Sequence, residues 1–258
     1  MNRIDTTFAK LKSEGRKGLV GFLTVGDPSL EQSERDIRTA LDAGVDVLEL
    51  GVPFSDPTAD GPTIQAASFR ALQAGVTLND VLALVGRIRA DYETPIVLFG
   101  YANLLFRYGY ELLCADAAAV GVDGLLVVDL PFEEAGEIRQ HMDGAGLHFI
   151  SLVAPTTPPA RQKLILSDAK GFVYYIMVTG VTGARAAVAS DIGDHLTELR
   201  EATDLPIAVG FGVSSGVQAK AAAEHADAVV VGSALISAAR DGRLESLVCE
   251  IRAALDKE

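Results

Sequence analysis

Leu48-Glu49-Leu50-Gly51-Val52-Pro53-Phe54-Ser55-Asp56-Pro57-Thr58-Ala59-Asp60-Gly61-Pro62 is the stretch around which the chain is organised. With Val45 and Val47 before it, it opens as an apolar run suited to a strand buried on both faces. Glu49 interrupts that run near its end. An ionised carboxylate there must be paired, hydrogen-bonded, solvated through a cleft or partly protonated. Pro53 and Pro57 stop the strand, Asp56, Asp60 and Gly61 bring acids and turn residues, and Pro62 suits the first position of a helix. One acid at a strand tip with two more on the loop above it is where an α/β protein puts its chemistry.

Outward from this stretch the same unit recurs. Toward the N-terminus, Leu19–Thr24 reads as a strand ended by Gly26-Asp27-Pro28, and Ser29 caps a helix running to about Ala43. Residues 2–14 form an additional amphipathic helix with Ile4, Phe8 and Leu11 at helical spacing. Toward the C-terminus, helices over about 62–73 and 78–92 lead to a strand Pro95–Phe99. A helix over 109–120, a strand Gly124–Val128, a helix over 133–144 and a strand over 148–153 follow. A helix ending near Ser167, a strand Gly171–Met177, a helix Asp191–Ala202 and a strand Pro206–Val209 come next. After a helix opened by Ser214, the last strand is Ala226–Val231 and the last helix spans about 243–256. Eight strands rich in Val, Leu and Ile, each followed by helix, imply a parallel sheet closed into a single (β/α)8 TIM barrel with an extra N-terminal helix, one domain over residues 1–258. An open doubly wound sheet is the alternative.

Composition narrows the function. The 258 residues are 49% hydrophobic, enough for one large core, and the net charge is −13. That charge argues against nucleic-acid or anionic-membrane partners, which need basic surface. No apolar run approaches the ~18 residues of a membrane span. The polar N-terminal MNRIDTTFAKLKSEGRKG lacks a signal-peptide core, so a cytoplasmic protein is expected. Cys114 and Cys249 lie far apart in helix-like stretches and read as reduced and structural. His141, His148, His195 and His225 are scattered singly, so no metal site is expected.

Three glycine-bearing turns follow the last strands: Gly180-Val181-Thr182-Gly183, Gly210-Phe211-Gly212 and Gly232-Ser233. In this architecture such turns and a helix N-terminus bind phosphate through backbone N–H groups. Glu49 has the position of a general acid/base. Tyr174 faces the barrel mouth if Tyr175 faces outward, because strand side chains alternate. Phe22 either lines a pocket for a flat ring or fills the core. Asp129, at the end of its strand, is either a second catalytic acid or a loop anchor. The segment Val178–Ser190, with two glycines and many small residues, reads as a lid.

The Leu48–Pro62 stretch resembles the signature of the tryptophan synthase α subunit family. Phe22-Leu23-Thr24-Val25-Gly26-Asp27-Pro28, Tyr101-Ala102-Asn103, Thr179-Gly180-Val181-Thr182-Gly183-Ala184 and Gly210-Phe211-Gly212-Val213 match the family in the same order over nearly the whole chain. The resemblance implies a lyase that cleaves indole-3-glycerol phosphate to indole and glyceraldehyde 3-phosphate. It implies general acid/base catalysis by Glu49, an indole N–H acceptor in Asp60 and a nearby Tyr174. It further implies phosphate contacts at Gly183, Gly212, Gly232 and Ser233, an indole-pocket wall at Phe22, positions near a partner at Asp56 and Asp129, and a loop-closing hydroxyl at Thr182. No cofactor is implied in this chain. The implied partner is a β subunit carrying pyridoxal phosphate, in an α2β2 heterotetramer. Met177 departs from the family, which usually has serine there, so that position offers no polar contact. Two rivals are a sugar-phosphate isomerase or epimerase on the same barrel and a non-catalytic activating subunit. Phe22-Leu23-Thr24 argues against the first, because such enzymes usually end strand one with Asp, His or Lys or bind a metal. Intact Glu49 and Asp60 argue against the second.

Overall fold

The computed structural model describes residues 1–176, 185–210 and 212–256, with the backbone alone for 185–192. Its strands are β1 (Gly18–Thr24), β2 (Val47–Gly51), β3 (Ile96–Gly100), β4 (Gly124–Val127), β5 (His148–Phe149), β6 (Ser151–Val153), β7 (Val173–Ile176), β8 (Ile207–Gly210) and β9 (Ala228–Val231). They form one sheet in the order β5-β4-β3-β2-β1-β9-β8-β7-β6. β5 and β6 are separated only by Ile150, whose N–H bonds the Leu125 carbonyl at 2.9 Å. The two ends of the order are therefore one interrupted strand. The sheet closes on itself as a (β/α)8 barrel, and the open-sheet alternative is excluded.

The pleat sorts the side chains into two sets. Phe22 pairs with Glu49, and Glu49 with Val97, so these positions share the inner face. The inner set includes Val20, Val47, Val97, Leu126, Phe172 and Ala228. Leu48, Leu50, Leu98, Leu125 and Val229 point outward and pack against helices. The helix Arg3–Ser13 adds Ile4, Phe8 and Leu11 to the inner set, closing the barrel's lower end. Each such buried side chain stabilises the fold by about 1.5–3 kcal/mol.

Acids at that lower end are structural. Asp46, Asp123 and Asp227 each precede a strand and accept a backbone N–H from the neighbouring one: Leu19 at 2.8 Å, Ile96 at 2.8 Å and Ile207 at 2.7 Å. Each also meets an arginine, namely Arg252, Arg89 and Arg200. Asp123 is buried and the other two partly exposed, and each has both a charge partner and a strand N–H.

The helices differ from the sequence reading in places. The helix expected over 109–120 is preceded by another, Ala102–Tyr108, and Gly109 separates it from Tyr110–Val120. Gly109 takes φ +92°, a conformation that L side chains rarely adopt, and so breaks the helix. A helix Ser233–Arg240, unanticipated, follows β9. The helix expected from Asp191 begins at Arg185, taking in the end of the expected lid, while residues 178–184 lie outside the described residues. Cys114 is buried as expected, but Cys249 is exposed, so no structural role falls to it. No described helix is long and apolar enough to cross a membrane.

Candidate active site

The C-terminal ends of the strands surround a cavity of about 650 Å³. Phe22, Phe99, Leu152 and Tyr174 line it from the barrel, and Ile64 from the helix Pro62–Gln73. Phe22 meets Phe99 edge-on at 5.0 Å between centroids, forming an apolar wall. Phe22 is thus both core and pocket lining. Tyr174 lines the cavity, whereas Tyr175 is buried among Val153, Leu199 and Ile207 outside the barrel, as strand alternation requires.

Glu49 is fully buried, and neither carboxyl oxygen has a hydrogen-bond partner among the described residues. The lower-end acids, by contrast, have arginines and strand N–H groups. Burial alone pushes the Glu49 carboxyl up to about 8, so it is mostly protonated at neutral pH. Its side chain is not part of the cavity lining, whereas Phe22, its partner in register on β1, is.

Asp60 lines the cavity from the loop after β2. Burial pushes its carboxyl up to about 6, while the Tyr101 hydroxyl, which donates at 2.9 Å, opposes the rise. Tyr101 follows β3 directly and stacks on Phe54 at 4.9 Å. The Gln65 side-chain amide donates to the Asp60 carbonyl at 2.8 Å, fixing the loop to the start of the next helix. The Tyr174 phenol is raised well above its ordinary range, first by burial and then by the fields of Glu49 and Asp60. These three groups therefore cluster at the barrel mouth.

Gly212, Gly232 and Ser233 also line the cavity, joined by Gly210, Ser214 and Ser237. Gly232 caps the helix Ser233–Arg240 without a side-chain bond, and the first N–H groups of a helix have no intrahelical partner. Gly212 takes φ +63° and is exposed. Among the described lining residues only Asp60 and Arg243 carry charge.

The remaining expectations fall outside the cavity. Asp129 is exposed and accepts the Ala102 N–H at 2.7 Å, anchoring the start of a helix. Asp56 is exposed and accepts the Ser55 hydroxyl at 2.6 Å. Met177, Thr182 and Gly183 lie outside the described residues. The sequence reading gave Tyr101 no role, and neither Phe99 nor Arg243 was singled out. The signals for Tyr101 were its place at a strand end and its membership of the Tyr101-Ala102-Asn103 stretch.

A family model described as "Tryptophan synthase alpha chain" matches residues 8–255. The chain belongs to the tryptophan synthase alpha chain family. A tryptophan synthase alpha chain from Geobacter sp. (strain M21) is 52% identical over 236 residues, covering 92% of this chain and 88% of that one. One from Gluconobacter oxydans is 52% identical over 237 residues, with the same coverage of 92% and 88%. Among solved structures, tryptophan synthase subunit alpha from Legionella pneumophila superposes with a TM-score of 0.92 at 37% identity, covering 99% of both chains. A chain of tryptophan synthase from M. tuberculosis superposes with a TM-score of 0.90 at 34% identity, covering 98% of both. As an alpha chain the protein is a lyase of tryptophan biosynthesis, and its reaction is the retro-aldol cleavage of indole-3-glycerol phosphate to indole and glyceraldehyde 3-phosphate. The isomerase and non-catalytic readings are set aside. The alpha reaction needs no cofactor in this chain.

Proposed function

We propose that Glu49 carries both proton transfers of this cleavage and that Asp60 stabilises the charge between them. The observation that carries this reading is the contrast between a fully buried Glu49, without a hydrogen-bond partner among the described residues, and a cavity-lining, hydrogen-bonded Asp60. Two carboxyl groups held at different protonation levels by their surroundings make an acid and an anion in one site.

Indole occupies the apolar end formed by Phe22, Phe99 and Leu152. The Glu49 carboxyl rotates past Phe22 and gives its proton to indole C3. The ring then carries positive charge at N1–H, which the Asp60 carboxylate accepts as a hydrogen-bonded ion pair. The bond from C3 to the glycerol C3′ breaks as the Glu49 carboxylate takes the C3′ hydroxyl proton. The bond's electron pair returns to the ring, the hydroxyl carbon becomes the aldehyde, and Glu49 is protonated again. Tyr174 packs against the reacting end and stays a neutral phenol. Gly183, Gly212, Gly232 and Ser233 hold the phosphate, so binding energy from that remote group orients C3 and C3′.

Indole passes to a tryptophan synthase β subunit carrying pyridoxal phosphate, in an α2β2 heterotetramer. Asp56 and Asp129, exposed on loops at the mouth, lie toward that partner, and Thr182 closes over the site. The enzyme works in the cytoplasm. Indole release from indole-3-glycerol phosphate, with and without an added β subunit, tests the reading. The parent chain releases indole, and Glu49→Gln loses roughly 10²–10⁴-fold in turnover or more, since both transfers depend on one group. Near-normal turnover in folded Glu49→Gln protein removes Glu49 from the mechanism.

A further inference from the structure

The cavity has charge at two places only among its described lining residues, Asp60 and Arg243. Arg243 stands before the helix Leu244–Leu255, with its backbone N–H bonded to the Ala238 carbonyl at 2.8 Å. Ala238 and Ser237, also lining the cavity, lie about one turn along the helix that Ser233 opens, some ~6–8 Å from its start. Arg243 lines the same cavity as the turn formed by Gly232 and Ser233. The one hydrogen-bonding partner of its guanidinium among the described residues is Asp241, at 3.0 Å, in a pair with side chains 67% and 57% exposed. Water screens such a pair, which leaves the guanidinium available to a dianion.

We propose that Arg243 is a substrate-binding residue that supplies the cation for the phosphate, a contact that backbone N–H groups alone cannot provide. This rests on the reading of the Gly212, Gly232 and Ser233 turns as the phosphate site. A guanidinium presents forked donors to phosphate oxygens, and the charge-assisted bonds exceed neutral ones in strength. The chain's net charge of −13 repels a dianionic substrate, so a cation at the cavity rim also favours its capture. Because the phosphate is held alike before and after C–C cleavage, Arg243 acts on binding rather than on the chemical step. It thereby selects phosphorylated over unphosphorylated substrates.

The test compares Arg243→Gln, Arg243→Lys and Arg240→Gln with the parent chain. Arg240 carries the same charge on the neighbouring helix but lines a different cavity, so it controls for net charge. Steady-state indole release and competitive inhibition by inorganic phosphate are measured at two salt concentrations, with circular dichroism confirming the fold. Arg243→Gln raises KM and the phosphate inhibition constant by ~10-fold, leaves kcat within about 2-fold, and flattens the salt dependence. Arg243→Lys recovers part of the loss, and Arg240→Gln behaves as the parent. Equal effects of Arg243→Gln and Arg240→Gln overturn the proposal in favour of bulk charge. Phosphate inhibition unchanged in Arg243→Gln but present in the parent overturns it while leaving the glycine-turn site standing. A parent chain that inorganic phosphate does not inhibit overturns both.

Discussion

The Tyr101 hydroxyl donates to Asp60 Oδ2 at 2.9 Å while accepting the Ala59 N–H at 3.1 Å. One phenol at the end of β3 thus orients both the carboxylate and the loop that carries it. The bond also favours the ionised form of Asp60, against the burial that raises its carboxyl to about 6. Catalysis needs Asp60 as carboxylate and Glu49 protonated, so kcat/KM for indole release follows a bell, falling below about pH 6 and above about pH 8. In Tyr101→Phe the donor is gone and Asp60 protonates more readily. The acid limb then moves to higher pH by roughly half a unit or more, and the alkaline limb stays. A limb that does not move belongs to the substrate phosphate, which titrates in the same region.

Glu49 weakens the fold so that it can serve the reaction. Its unfolded carboxyl titrates near ~4.3, and its folded one at about 8. Between these values the folded state holds the extra proton, so stability falls as pH rises through that window and levels off above it. Glu49→Gln removes the titration and keeps the shape. Its melting temperature is therefore expected to exceed the parent's by several degrees at pH 9, with the gap closing toward pH 5. Thermal melts at the two pH values check this. A gap that is constant with pH sinks the assignment of a protonated buried Glu49.

The barrel was legible because its strands are apolar on both faces and recur with helices between them. Glu49 was legible for the same reason, as the one acid inside such a run. Tyr174 followed from alternation with Tyr175. The helix Ser233–Arg240 was not legible, because Gly232-Ser233 reads equally as a turn and eight residues hold little periodicity. The Tyr101–Asp60 bond joins residues 41 positions apart, and only the closed β2–β3 pairing brings them together. Arg243 was missed because nothing local distinguishes it from a surface arginine. Its place follows from helix packing against the mouth.

Asp123 tests the distinction between acids. It is 3% exposed and accepts from Arg89 at 2.9 Å, Arg3 at 3.2 Å and the Ile96 N–H at 2.8 Å. Asp123→Ala leaves the Arg89 guanidinium with carbonyl partners but no carboxylate, and the Ile96 N–H without its acceptor, and is expected to destabilise by about 3 kcal/mol. The lower end of the barrel is remote from the cavity, so kcat in the folded fraction is unchanged. Urea unfolding beside indole-release kinetics at low temperature separates the two effects. A kcat loss as large as that of Glu49→Gln would place Asp123 in the chemistry.

Gly51 gives the sharpest test of how the wall beside Glu49 is built. It lies two residues beyond Glu49 on the same strand and pairs in register with Thr24. A Cβ at Gly51 would stand 2.5 Å from Phe22 Cζ and 3.0 Å from Cε2, so the ring occupies the space that the missing side chain leaves. Gly51 has no positive φ, so alanine suits its backbone and would by itself stabilise the chain slightly. The substitution therefore acts through the ring. Gly51→Ala pushes Phe22 off its edge-on contact with Phe99 and into the cavity, narrowing the indole end. The expected result is a ~10-fold or greater fall in kcat/KM, with KM rising because indole no longer fits flat against the wall. Shortening the ring in the double variant Gly51→Ala, Phe22→Leu restores room, so the two substitutions couple and the double variant outperforms Gly51→Ala alone. If Gly51→Ala keeps the parent's kcat/KM, or the double variant shows simple additivity, Phe22 does not form the wall of the indole site.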